Sequence, residues 1–204
     1  MLAQLNSELF LFINAAQNAN VWMIQFAIFC ANYLVYFCSA FTLFCWLRLP
    51  QYREVIVKIT LTIGFTLLIA SLMRMAVSSP RPFVEHIGTN FLRHSATNSL
   101  PSQHASFIFA MLFAMVFNRP LPTSVRYKSV LGLMILIAGL VGWSRIYLGV
   151  HWPKDILAAG MISLACACFI AKSWNKIEKP LMHSLLKVYR SLFSPIIKLG
   201  LIKY

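Results

Sequence analysis

Acidic residues are nearly missing from this chain: only five of 204 residues are Asp or Glu, against 18 Lys and Arg, and charged residues of both signs make up 11% of the sequence. A soluble domain carries roughly a quarter charged residues, so the shortage excludes an ordinary water-soluble fold and points to a single-domain integral membrane protein. The same shortage leaves no cluster of carboxylates to hold a metal, because Glu8, Glu54, Glu85, Asp155 and Glu178 are scattered along the chain. The formal charge of +13 would suit nucleic acid, but the basic residues punctuate apolar segments instead of forming one stripe. Cysteine is sparse too. The five, at 30, 38, 45, 166 and 168, all lie inside apolar runs without metal-ligand spacing and read as buried free thiols. Residues 1–20 lack the basic start and cleavage site of a signal peptide, and the apolar patch Leu9–Ile13 is too short to cross about 30 Å of hydrocarbon. No self-similarity between halves suggests the inverted repeats of a transporter.

What is present is hydrophobic: 59% apolar residues and a mean hydropathy of +0.72. Apolar runs at 21–47, 55–77, 101–118, 129–148 and 153–172 read as spans. The expected fold is an all-α polytopic helix bundle of about five to six transmembrane helices with amphipathic terminal helices. Residues 1–20 form an interfacial helix, 21–172 the transmembrane core, and 173–204 a basic tail lying on an anionic membrane face and broken near Pro195. Lys58 is placed to snorkel from the second span. The polar stretch 78–100 is long enough to be a working loop.

Charge gives the sides. Arg48, Arg53, Lys58, Arg119, Arg126, Lys128, Lys172 and the basic residues of the tail share one face, which the positive-inside rule makes cytoplasmic. Arg74, Arg81, Arg93, Arg145 and Lys154 fall on the other. Their placement against the bias is most simply explained by an anion bound there.

Those exceptions coincide with the stretches that carry chemistry. Ser144–Asp155 sets a charged cluster between two apolar runs. Pro153 suits a first helical position, which puts His151 just before a helix and Asp155 in its first turn, within reach of the imidazole. A carboxylate on one ring nitrogen makes the other a better nucleophile, and Arg145 supplies charge for an anion. The same residues also fit an N-capping His with an Asp compensating the helix dipole. Pro101 opens another helix, so the N–H groups of Ser102, Gln103 and His104 are expected to be free to face an anion. Singly, an arginine near a helix end reads as a headgroup anchor and His104 as an interfacial residue. Together, three arginines, a helix N-terminus and two histidines describe a phosphoryl site.

Arg-x6-Arg-Pro at 74–82, Pro-Ser-Gln-His at 101–104 and Ser-Arg-x5-His-x3-Asp at 144–155 resemble the three-part signature of the type 2 phosphatidic acid phosphatase superfamily over residues 55–172. The third part matches in full. Arg74 stands where Lys is usual, which keeps the charge but exchanges a point donor for a planar fork, and Gln103 stands where Gly is usual. The short chain, the Gln103 variation and Arg-Pro-Phe-Val at 81–84 are most similar to the bacterial undecaprenyl pyrophosphate phosphatases of the bacitracin-resistance type.

The resemblance implies a hydrolase that converts undecaprenyl pyrophosphate to undecaprenyl phosphate, recycling the cell-wall lipid carrier at the periplasmic or extracellular side of a bacterial plasma membrane, with its C-terminus cytoplasmic. His151 attacks phosphorus and forms a phosphohistidine, Asp155 orients it, and His104 protonates the leaving group and then activates water. Arg74, Arg81, Ser102, Gln103 and Arg145 hold the phosphate. No metal or other cofactor is expected, with guanidinium groups supplying the charge that Mg²⁺ supplies elsewhere. Accessory roles fall to Glu85, which pairs with an arginine or engages substrate, and to Arg93 and Lys154, which serve a second phosphate or anchor headgroups. The partners implied are a polyprenyl or other lipid phosphate and membrane lipids; no nucleic acid or protein partner is implied. A broad phosphatase of phosphatidylglycerol phosphate or phosphatidate, a lipid A phosphatase or phosphotransferase, and a non-catalytic transporter or binding protein for an anionic lipid are the alternatives.

Overall fold

A computed structural model describes residues 1–117, 125–200 and 202–203. Asn118, which closes the third expected span, and Arg119 lie outside the described residues, as does the side chain of Arg126. Among the described residues there are seven α-helices and no strands: α1 (Leu2–Ile13), α2 (Val21–Asn32), α3 (Leu34–Arg48), α4 (Arg53–Ala76), α5 (Gln103–Val116), α6 (Val125–Tyr147) and α7 (Pro153–Lys198), with a 3-10 turn at Pro50–Tyr52. In lipid a helix satisfies every backbone group internally, which is why apolar runs this long fold as helices.

α4, α6 and α7 are each long and apolar enough to cross a membrane. The first expected span, 21–47, is two helices instead of one, α2 and α3, bent by 41° at Tyr33. Asn32, a weak helix former, sits at the break. At about 1.5 Å per residue the 14 residues of α5 cover about 21 Å, less than a bilayer core. The tail also departs from expectation, because α7 runs 46 residues through Pro180 and Pro195 without a break.

α5 is the hub and packs against α4, α6 and α7. Its Ile108, Met111, Leu112, Ala114 and Met115 form the core with Ile59 of α4, Cys38 of α3 and Met134, Ala138 and Val141 of α6. Small residues let α5 and α7 approach closely, and the Ser163 hydroxyl donates to the Ser106 carbonyl across them at 3.0 Å. All five cysteines are free; Cys30, Cys38 and Cys166 are buried, whereas Cys45 and Cys168 are half-buried.

Two ends of this bundle differ. At one, Lys58 does not snorkel: it is buried, pairs with Glu54 at 2.6 Å and lies 4.9 Å over the Trp174 ring. Arg53 is buried beside it, and the chain's last residues return to dock there through Lys203. At the other end converge the termini of α4, α5, α6 and α7. α1 braces that second end. Its Phe10 is fully buried, 5.0 Å from the Trp152 ring, and the Asn14 side chain donates to the carbonyls of Thr89 and Tyr147 while accepting from the Thr89 N–H.

Candidate active site

The site begins with how the chain turns between α6 and α7. Gly149 has φ +79°, and a Cβ there would collide with the Thr89 carbonyl, so only glycine fits the turn that brings His151 inward. Pro153 then opens α7 as expected. Asp155, in its first turn, accepts the Trp152 N–H at 2.9 Å and lies 3.2 Å from His151 Nδ1. A carboxylate oxygen accepts, so Nδ1 carries the proton. On the far side of the ring Nε2 stands 3.2 Å from Arg81 Nη1, and since a guanidinium only donates, Nε2 presents its lone pair. Burial pushes the His151 pKa well below its ordinary value, and the charges of Arg145 and Arg81 act in the same direction. The ring is therefore neutral at physiological pH, and its Nε2 lone pair, which accepts from Arg81 Nη1, faces the arginines. The N-cap of α7 is Trp152 and not His151, and the Asp155 carboxylate both accepts the Trp152 N–H and holds the His151 ring.

Arg81 is pinned by carbonyls, Val150 at 2.7 Å and Thr97 at 3.0 Å. Burial and the neighbouring Arg74 lower its pKa to about 10, which leaves it charged. Arg74, half-buried at the end of α4, donates to the Thr97 hydroxyl at 2.9 Å. Arg145 is different: it is only 1% exposed, and its Nε and Nη2 have no hydrogen-bond partner. The Ser102 hydroxyl, also buried, has none. A buried cation and a buried hydroxyl without partners are costly unless an anion completes them.

α5 starts two residues later than expected, at Gln103 with Ser102 as its N-cap. Pro101 therefore precedes the helix, and the Ser102 N–H is not free but donates to the Asp155 carbonyl at 3.3 Å. Gln103 is exposed and its side chain reaches Ser71 on α4 at 3.4 Å, so the residue that replaces glycine turns away from the Ser102 hydroxyl. His104 is half-buried, and the charges acting on it are Arg145, His94 and Arg81. Glu85, Arg93 and Lys154 are exposed. Glu85 makes no ion pair among the described residues, contrary to the pairing expected for it. Lys154 Nζ lies 6.0 Å over the Trp152 ring.

The 78–100 loop is built, as its length suggested. Asn98 accepts the Ser79 N–H and donates to the Arg74 carbonyl at 2.7 Å, and the Trp152 indole donates to the Pro80 carbonyl at 2.9 Å. It also carries a residue that sequence reasoning missed. His94 lies edge-on to His151, ring centroids 6.2 Å apart. Its only sequence signal was a histidine within the long polar loop. Among the described residues no group of three His, Cys, Asp or Glu side chains is placed to ligate a metal.

A buried imidazole oriented by a carboxylate, facing a cluster of guanidinium groups at one end of a membrane bundle, is an arrangement able to hold a phosphate and to attack its phosphorus. Residues 55–179 match the PAP2 superfamily, and the chain belongs to it: this is a multi-pass lipid phosphatase, a hydrolase. It is 35% identical over 207 residues to YbjG of Escherichia coli (strain K12), 100% of both chains, a relative whose name places it provisionally among the undecaprenyl-diphosphatases. It is 24% identical to Undecaprenyl-diphosphatase BcrC of Bacillus subtilis (strain 168), over 95% of this chain and 96% of that one. The fold is similar to the crystal structure of Aquifex aeolicus LpxE, with a TM-score of 0.63 at 24% identity over 82% of this chain and 95% of that chain.

Proposed function

We propose that the protein hydrolyses a polyprenyl diphosphate, undecaprenyl diphosphate in the bacterial setting, to the monophosphate by way of a phosphohistidine at His151. The observation that carries this reading is that Arg145 and Ser102 keep buried polar atoms without hydrogen-bond partners, while their backbones bond directly to His151 and to its partner Asp155. A terminal phosphate bound to Arg145, Ser102, Arg74 and the first-turn amides of α5 presents phosphorus to the lone pair of His151 Nε2. Nε2 bonds to phosphorus as the bridging P–O bond breaks, and Asp155 stabilises the charge that develops on the ring. His104 donates a proton to the leaving lipid phosphate, then takes one from the water that releases orthophosphate. Glu85, Arg93 and Lys154 line the approach. The names of relatives matched over 95% or more of their length support the choice of substrate, and the basic end at Arg53 and the tail supports a site on the outer face.

The test is phosphate release by the purified protein from a panel of lipid phosphates. kcat/KM for polyprenyl diphosphate should exceed that for phosphatidate at least about tenfold, or about 1.4 kcal/mol. Equal efficiencies would favour a broad lipid phosphatase, a reading to which a relative from Rhizobium etli named Lipid A 1-phosphatase, 30% identical over 54% of this chain, gives some weight. An acid-labile phosphoenzyme should accumulate in His104→Ala with a substrate whose leaving group needs no proton. Label appearing in His151→Ala would refute the assignment.

A further inference from the structure

His94 lies outside the family's three motifs, yet its ring packs edge-on against that of His151. Its Nδ1 is 3.2 Å from the Ser95 carbonyl; a carbonyl only accepts, so Nδ1 carries the proton and fixes the ring. Nε2 makes no hydrogen bond to any described residue. The ring is half-buried and edge-on to His151 at 6.2 Å, so it lies within one phosphate group's reach of the nucleophile and is less buried than it. Among the cations, Arg81 is tied to three carbonyls of the protein, Arg74 and Arg145 are assigned to the transferred phosphate, and Arg93 and Lys154 are exposed. A diphosphate has an anionic group beyond the one transferred; with His104 assigned to proton transfer, Nε2 of His94 is an unpartnered ring nitrogen near His151 that has no other role.

We propose that His94 is a specificity-determining residue that binds, through Nε2, the phosphate that stays with the lipid. This inference rests on the diphosphate reading above. In the resting pocket burial, and then the charge of Arg81, hold the His94 pKa down to about 4. A bound diphosphate offsets the charges of Arg81, Arg145 and Arg74, so the ring takes up a proton from water on binding and donates from Nε2 to a non-bridging oxygen. No bond to carbon or phosphorus changes in this step. A phosphate monoester such as phosphatidate has no second phosphate to occupy that position.

Two substitutions separate this role from a loop-holding one. In His94→Asn the amide nitrogen replaces Nδ1, keeping a donor for Ser95 and deleting Nε2; in His94→Gln the amide reaches the Nε2 position instead. The measurement is the ratio of kcat/KM for farnesyl diphosphate to that for phosphatidate. His94→Asn should lower the ratio at least about tenfold, and His94→Gln should restore it to within about threefold of wild type. An unchanged ratio in both variants, or the reverse order with Asn tolerated and Gln not, would overturn the proposal. Failure of the wild-type protein to release phosphate from any polyprenyl diphosphate would overturn the substrate reading and this one with it. Normal wild-type preference with unchanged variants would overturn this one alone.

Discussion

Arg53 and Arg145 are both buried, at 4% and 1% exposure, and neither pairs with a carboxylate among the described residues, yet the two ends of the bundle treat them oppositely. Arg53 donates to the Trp46 and Lys203 carbonyls and lies 5.4 Å and 4.5 Å from the ring centroids of Trp46 and Tyr189. Tyr189 donates to the same Lys203 carbonyl at 2.9 Å. That cation is consumed by its own chain and clamps the tail onto the α3–α4 corner. Arg145 retains unpartnered nitrogens beside an unpartnered serine. In a low-dielectric interior such a group is tolerated only where something from outside completes it. Partnering, more than burial, separates a structural cation from a binding one.

The comparison is broken most severely by exchanging outcomes between the two arginines. Arg145→Gln should lower kcat by about 10²–10³-fold, the usual loss when one donor to a developing oxyanion is removed, while thermal unfolding in detergent shifts little. Arg53→Gln should do the reverse, leaving kcat near wild type and destabilising the protein by about 1–3 kcal/mol as its carbonyl acceptors lose their donor. Similar kinetic losses in both would show that the two ends are coupled and the distinction false.

A smaller effect sharpens the electrostatic side of the contrast. His151 and His94 face the guanidinium cluster, and both pKa values are displaced downward, chiefly by burial. A group whose folded pKa is lowered stays neutral until the pH falls past that lowered value. NMR of labelled histidines should therefore find both rings neutral at about pH 6, where a free imidazole is largely protonated. Filling the site with a phosphate analogue should raise the His94 value. Titration of either ring near pH 6.5 in the empty protein would contradict the packing described. The smallest expected effect is none at all: phosphate release should persist in EDTA, since the charge opposite the phosphate comes from arginine. Loss of turnover restored by Mg²⁺ would replace that account with a metal-based one.

Much of this was legible in the sequence because it depends on neighbours along the chain. The shortage of charge set the solvent as lipid. Pro153, His151 and Asp155 lie within about one helical turn, so their spacing placed the carboxylate within reach of the imidazole, while leaving open whether His151 or its neighbour caps the helix. The Arg-x6-Arg-Pro and Pro-Ser-Gln-His stretches named the phosphate-binding candidates and the end of the bundle they share. Through-space contacts decided the rest. Apolarity could not reveal the bend at Tyr33, and a helix start is uncertain by a residue or two, which is how the Ser102 N–H was misjudged as free. The role of Phe10 required knowing that residue 10 meets residue 152. His94 joined the site because the 78–100 loop folds back over α7, and Arg53 left the pool of membrane anchors because Lys203 returns to it. Composition and spacing determined which groups this protein has for chemistry. Tertiary structure alone determined which of them are already satisfied, because partners distant in sequence take up a buried group's hydrogen-bonding capacity.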